Sequence, residues 1–174
     1  MGNISSSTPE SMSVLVLMER RPASDAPWST EHWNPVAVMP AGEVSAVGER
    51  RMPVYQKDGR EQYLYGGHEL RLYPDSTESY WYNLAGRSPS LFVVLRDSDD
   101  GVPEPFVVTA NYDEAGAYME ADGTVAAVPM PADIHQWLER YVAENFRPQE
   151  RKSRKREKWT EGANGGKRSK APRD

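Results

Sequence analysis

The chain has no cysteine among its 174 residues. That absence excludes disulfides, thiolate nucleophiles, cysteine-bound zinc and iron–sulfur clusters in one step, and it fits a reducing compartment. Histidine is scarce as well. His32, His68 and His135 lie far apart, and no Gly-x-Ser-x-Gly turn offers a nucleophile. No apolar run approaches the roughly 20 residues needed to span a bilayer. The start of the chain also lacks a basic region followed by an apolar stretch. A cytoplasmic protein without membrane association is therefore expected. Met1-Gly2 with Ser6 matches the short myristoylation pattern, but no basic patch follows to supply a second anchor, so an unstructured start is the preferred reading.

What is present is a strong charge asymmetry. The net charge of −5 combines a body (residues 1–146) of net −12 with a segment from Arg147 onward of net +7. An acidic body with a basic tail bears on partners rather than on fold. At this length one domain and a tail are expected: 1–11 as a disordered N-terminus, 12–147 as a single β-rich domain, and 148–174 as a disordered basic tail.

Strand signals dominate the body. Met12 to Met18 reads as a strand buried on both faces, ending before Pro22, and Val36-Ala37-Val38-Met39 reads as a second strand stopped by Pro40. Met52 to Gln56 is a candidate for another. The stretch from Gln62 to Tyr112 predicts the core of a sheet, built from His68–Leu72, Tyr80–Leu84, Leu91–Leu95 and Phe106–Tyr112. The short links favour antiparallel neighbours. Asn111 predicts the cap of a short helix with Glu114 in capping-box position and Gly123 as its stop. Pro131 is placed in the first turn of a second helix. Ile134, Trp137, Leu138, Tyr141 and Val142 give that helix a continuous apolar face. The expected fold class is α+β: a mostly antiparallel sheet, as a sandwich or partial barrel, with a short helix and a C-terminal helix packed on it.

Three near-motifs fail on spacing. His68-Glu69-Leu70-Arg71-Leu72 begins like a zinc-protease helix, but Leu72 replaces the second histidine and the alternation suits a strand. Asp97-Ser98-Asp99-Asp100-Gly101 resembles a calcium loop with its glycine one place early and Val108 at the closing position, so an acidic hairpin turn is expected. Gly162 to Lys167 is one residue short of a phosphate loop. No catalytic, cofactor or metal residues are assigned.

Taken together, Val14-Leu15-Val16-Leu17-Met18-Glu19-Arg20-Arg21-Pro22, the Trp28 and Trp33 pair with Pro35-Val36-Ala37-Val38, Tyr112-Asp113-Glu114-Ala115, and Val128-Pro129-Met130-Pro131 before the Trp137 helix are similar to a family of short bacterial proteins of unknown function. Genes of that family often neighbour those for molybdenum-dependent formate dehydrogenase and its maturation factors. The resemblance implies a non-enzymatic accessory or assembly protein whose partner is a formate dehydrogenase subunit or maturation factor. Candidate partner-binding residues are Arg20, Arg21, Trp28 and Trp33, with Arg151, Lys152, Arg154, Lys155, Arg156 and Lys158 of the tail. Those tail cations leave weak, salt-sensitive nucleic-acid binding as an alternative, although the −12 body repels the same polyanion. A third reading is a small-ligand binder or enzyme using a pocket beside Tyr80, Trp81 and Tyr82, whose rings are otherwise expected to pack across strands.

Overall fold

Apolar residues recur with a two-residue period, or in short unbroken runs, along most of the chain, and such stretches bury themselves by pairing as strands. The computed structural model describes residues 7–23, 31–42 and 51–147. Within them β1 (Ser11–Arg21), β2 (His32–Pro40), β3 (Arg51–Lys57) and β4 (Arg60–Arg71) form one antiparallel sheet in the order β2-β1-β4-β3. A second sheet, ordered β6-β5-β7, joins β5 (Ser90–Asp97), β6 (Pro103–Thr109) and β7 (Thr124–Pro129). β2 lies against β7 and β4 against β6 with no ladder between them. The six strands thus close into a partial barrel, and β3 stands outside it. Val14, Val16 and Met18 of β1 meet Leu91, Val93 and Val128 of the second sheet in one core.

Helices α1 (Thr77–Ala85), α2 (Tyr112–Glu120) and α3 (Ala132–Asn145) cover that core. In α3 the predicted apolar face, Ile134, Trp137, Leu138, Tyr141 and Val142, is buried throughout. Pro131 caps α3 from just outside its first turn, where its missing N–H costs nothing. The Trp137 indole donates to the Pro9 carbonyl at 2.9 Å, and Glu144 accepts from the Thr8 amide and hydroxyl. Glu10 accepts from the Leu72 amide. Residues ahead of β1 thus contact α3 and the end of β4.

Asn111 caps α2 as expected, but Glu114 does not close a capping box: its carboxylate accepts from the Thr109 hydroxyl, to which the Asn111 amide donates. Asn111 Oδ1 accepts from the Asp113 and Glu114 amides. Its end departs from expectation. Asp122, not Gly123, takes the left-handed conformation (φ 61°), and the Gly123 amide closes the turn on the Tyr118 carbonyl at 2.8 Å. Glycine is needed at 123 for space, since a Cβ there would lie 2.7 Å from the Tyr118 carbonyl oxygen.

Four further expectations are corrected. Tyr80–Leu84 is helix α1, not a strand. Its buried residues Thr77 and Tyr80, with half-buried Leu84, recur at helical spacing, and a 3₁₀ turn at Pro74–Ser76 starts the winding. Of its three aromatic residues only Tyr80 is buried, while Trp81 and Tyr82 are exposed on the outer side of the helix, so the aromatic run that resembles a strand does not pack across strands. Second, the run from Gln62 to Tyr112 is divided: β4 belongs to the four-stranded sheet, β5 and β6 to the three-stranded one. Third, Gly66-Gly67, a glycine pair expected to punctuate the chain, does not interrupt β4. The pair forms a bulge opposite Leu15, with Gly67 at φ 77°, and the strand continues through it. Fourth, β7, which the sequence reading left unassigned, completes the second sheet beside β5.

Candidate functional site

Strand alternation assigns the residues at the far end of β1 to two faces. Arg20 stands directly between Trp33 on β2 and Glu61 on β4, and Glu19 between Asn34 and Gln62. On the first face Arg20 donates to Glu61 at 2.8 Å and to Glu31 at 3.0 Å, and its guanidinium lies 6.0 Å from the centre of the Trp33 ring. Trp33 in turn packs at 5.4 Å, tilted, on Tyr63, and Arg51 covers Tyr63 from 5.2 Å. These spacings are those of cation–π and offset aromatic contacts.

On the opposite face Glu19 is only 2% exposed. It accepts from Arg21 Nε at 2.6 Å, Arg60 Nε at 2.9 Å and Gln62 Nε2 at 2.6 Å. Burial alone raises its pKa, yet the hydrogen bonds from Arg21, Gln62 and Arg60, with the charge of Arg60, outweigh that and hold it at about 2. A general base works best near ambient pH. Glu19 is therefore a clasp between strands and a poor candidate for proton transfer at neutral pH. Arg60 also sits 5.8 Å from the ring centre of Tyr55 on β3.

These contacts fix the turn end of the β3–β4 hairpin. β3 and β4 join through Asp58-Gly59, both with positive φ (53° and 77°), the geometry of a two-residue turn that matches strand twist. Gly59 packs on Pro22, so the turn is anchored to the end of β1. Every residue of β3 is exposed, including Met52, Val54 and Tyr55 at 44%, 46% and 41%. β3 is the outermost strand, and no described strand pairs with its other edge. Arg51 at its start bonds Asp100 at 2.8 Å in the acidic turn between β5 and β6, tying the hairpin to the second sheet.

The structure therefore brings Arg20 and Trp33 together on one face and puts Arg21 on the opposite face with Glu19, and Trp33 is half-buried against the core. Trp28 and the tail residues Arg151, Lys152, Arg154, Lys155, Arg156 and Lys158 lie outside the described residues. Sequence reasoning missed Glu61 and Glu31 as partners of Arg20, Glu19 as partner of Arg21 and Tyr63 as partner of Trp33, and it missed the exposure of β3. The Asp58-Gly59 pair between two strand-like runs was the available signal for the hairpin. Among the described residues no group of three or more His, Asp or Glu side chains is arranged to hold a metal ion. His68 lies on β4, where burial lowers its pKa, and His135 faces Glu139 on α3.

The architecture defines a small antiparallel partial barrel clamped by helices, with one bare edge strand beside a lattice of arginines and aromatic rings. The family described as "protein of unknown function (DUF3305)" matches residues 13–156, and the chain belongs to that family. No curated protein and no solved structure matches it.

Proposed function

We propose that the protein is a non-enzymatic partner-binding protein, accessory to molybdenum-dependent formate dehydrogenase, and that it meets its partner along β3 and the adjoining arginine–aromatic lattice. The observation that supports this reading is β3 itself, a strand exposed over its whole length. An edge strand of this kind offers backbone groups to an added strand, and here it also offers Met52, Val54 and Tyr55 as anchors. Tryptophan, tyrosine and arginine, which dominate binding energy at interfaces, flank it. The formate dehydrogenase context comes from the family resemblance alone.

The arginines of this surface are already bonded to Glu19, Glu31, Glu61 and Asp100. Partner affinity is accordingly expected to depend on buried apolar area and to change little with salt. The test is affinity capture from the native host with tagged full-length protein. Wild type is expected to retain a formate dehydrogenase subunit or maturation factor, and a Met52→Glu/Val54→Glu variant to lose it while keeping its fold. Equal capture by both proteins, or predominant recovery of RNA and ribosomal proteins, would overturn the proposal.

A further inference from the structure

A cleft of about 440 Å³ opens where the N-terminal ends of α1 and α2 converge. Asp75, Glu78 and Asp113 line it, together with the rings of Tyr82, Tyr112 and Phe92. Tyr82 and Tyr112 are 60% and 61% exposed, and Tyr112 meets Phe92 edge-on at 5.8 Å. The floor is a closed polar network. Ser79 donates to Asn111 at 2.8 Å and accepts from the Tyr112 amide at 3.1 Å, and Asn111 Nδ2 donates to Ser76 at 3.1 Å. The walls are different, since none of the three acidic side chains carries an ion pair within the described residues. Each helix end contributes roughly half a positive charge, about one for the pair. Three acids exceed that, and open aromatic faces beside them suit a guanidinium or ammonium group.

The exit of the chain from α3 lies next to this cleft. Phe146 and Arg147 line a neighbouring cleft with Pro74 and Glu144, and Asp75 and Glu78 form part of the wall of both. Arg151 to Lys158 follow, carrying Arg151, Lys152, Arg154, Lys155, Arg156 and Lys158 against the single acid Glu157. Four residues of extended chain cover up to about 14 Å, so the first of these cations comes within reach of the shared wall. We propose that the cleft is a binding site for cationic side chains and that its occupant is the chain's own basic segment 151–158, which docks across Asp75, Glu78 and Asp113. Docking gives the three unpaired acids their counter-charges and covers Tyr82 and Tyr112. It also links the state of the tail to α1 and α2.

The lack of cysteine makes the test clean. A nitroxide on Ser153→Cys in the full-length chain leaves every tail charge in place, and paramagnetic relaxation of backbone amides reports where the segment sits. At low salt, enhancement at Tyr82, Tyr112 and Asp113 is expected to exceed several-fold that at the Asp97–Gly101 turn, which is a second acidic surface. It should collapse at high salt and in the Arg154→Glu/Lys155→Glu/Arg156→Glu tail. It should also collapse in an Asp75→Asn/Glu78→Gln/Asp113→Asn body whose amide spectrum remains folded. Equal enhancement over both acidic surfaces would overturn the proposal, as would enhancement that survives neutralisation of the cleft. So would enhancement seen only between labelled and unlabelled chains in a mixture, which would make the occupant a second copy.

Discussion

The arginine–aromatic end of the four-stranded sheet and the cleft at α1 and α2 use the same residue types to opposite effect. At the sheet end the acids within the arginine lattice are matched: Glu19 by Arg21 and Arg60, Glu61 and Glu31 by Arg20, Asp100 by Arg51. Its rings are covered by guanidinium groups, and what it leaves open is the apolar residues of β3. Among the described residues the acids at the cleft are unmatched and the rings are open. Internal pairing spends the charge of the first surface on holding strands together. Lack of pairing keeps the charge of the second available. The first surface should therefore bind through burial and tolerate salt, and the second should bind through charge and be weakened by it.

The largest expected effect lies in α3, which packs against α1 and the core. Trp137→Ala removes a ring that is 7% exposed and bonded to Pro9, and should cost about 3–5 kcal/mol by chemical denaturation. A loss under about 1 kcal/mol would show that α3 does not clamp the core.

The next effect sharpens the matched surface. Glu19→Gln keeps the shape but removes the charge that Arg21 and Arg60 require. With a folded pKa of about 2, below the ordinary carboxylate value, Glu19 stabilises the fold fully above that ordinary value. The contribution fades as pH falls through 2. The shift corresponds to about 3 kcal/mol, reduced to about 2 kcal/mol because Arg21 and Arg60 are largely solvated. Urea denaturation at pH 6 should show that deficit in Glu19→Gln, and near pH 2 the two proteins should converge. A difference independent of pH would mean that Glu19 acts through packing alone.

The smallest effect belongs to the unmatched surface. Neutralising Asp75, Glu78 and Asp113 together should move stability by no more than about 1 kcal/mol, the scale of acids in first helical turns. A larger loss on thermal unfolding would place them among the structural acids, with Glu19.

Much of the fold was legible in the sequence because its strongest signals are local. β1 is an apolar run, α3 carries an unbroken i, i+3, i+4 face, and Asn111 with Glu114 marks the start of α2. What misled were segments whose state depends on distant contacts. Asn83 ties α1 to the Ser90 amide and carbonyl and to the Ala110 carbonyl, and nothing local in Tyr80-Trp81-Tyr82 announces that. The bulge at Gly66-Gly67 exists only against Leu15 across the ladder. At the site, Arg20, Arg21 and Trp33 were visible from their types, whereas the pairing of Arg20 with Glu61 and of Glu19 with Gln62 depends on the register between β1 and β4. Exposure of β3 depends on which strand ends the sheet, and topology decides that rather than composition.

The central claim, that β3 carries an accessory function toward formate dehydrogenase, is tested most directly by complementation. In a host strain lacking this protein, grown where the enzyme is required, formate dehydrogenase activity per amount of its polypeptide is measured after supplying wild type or Met52→Glu/Val54→Glu at equal level. The account expects reduced activity in the deletion strain, restored by wild type and not by the variant. Normal activity without the protein, or full restoration by the variant, would contradict it.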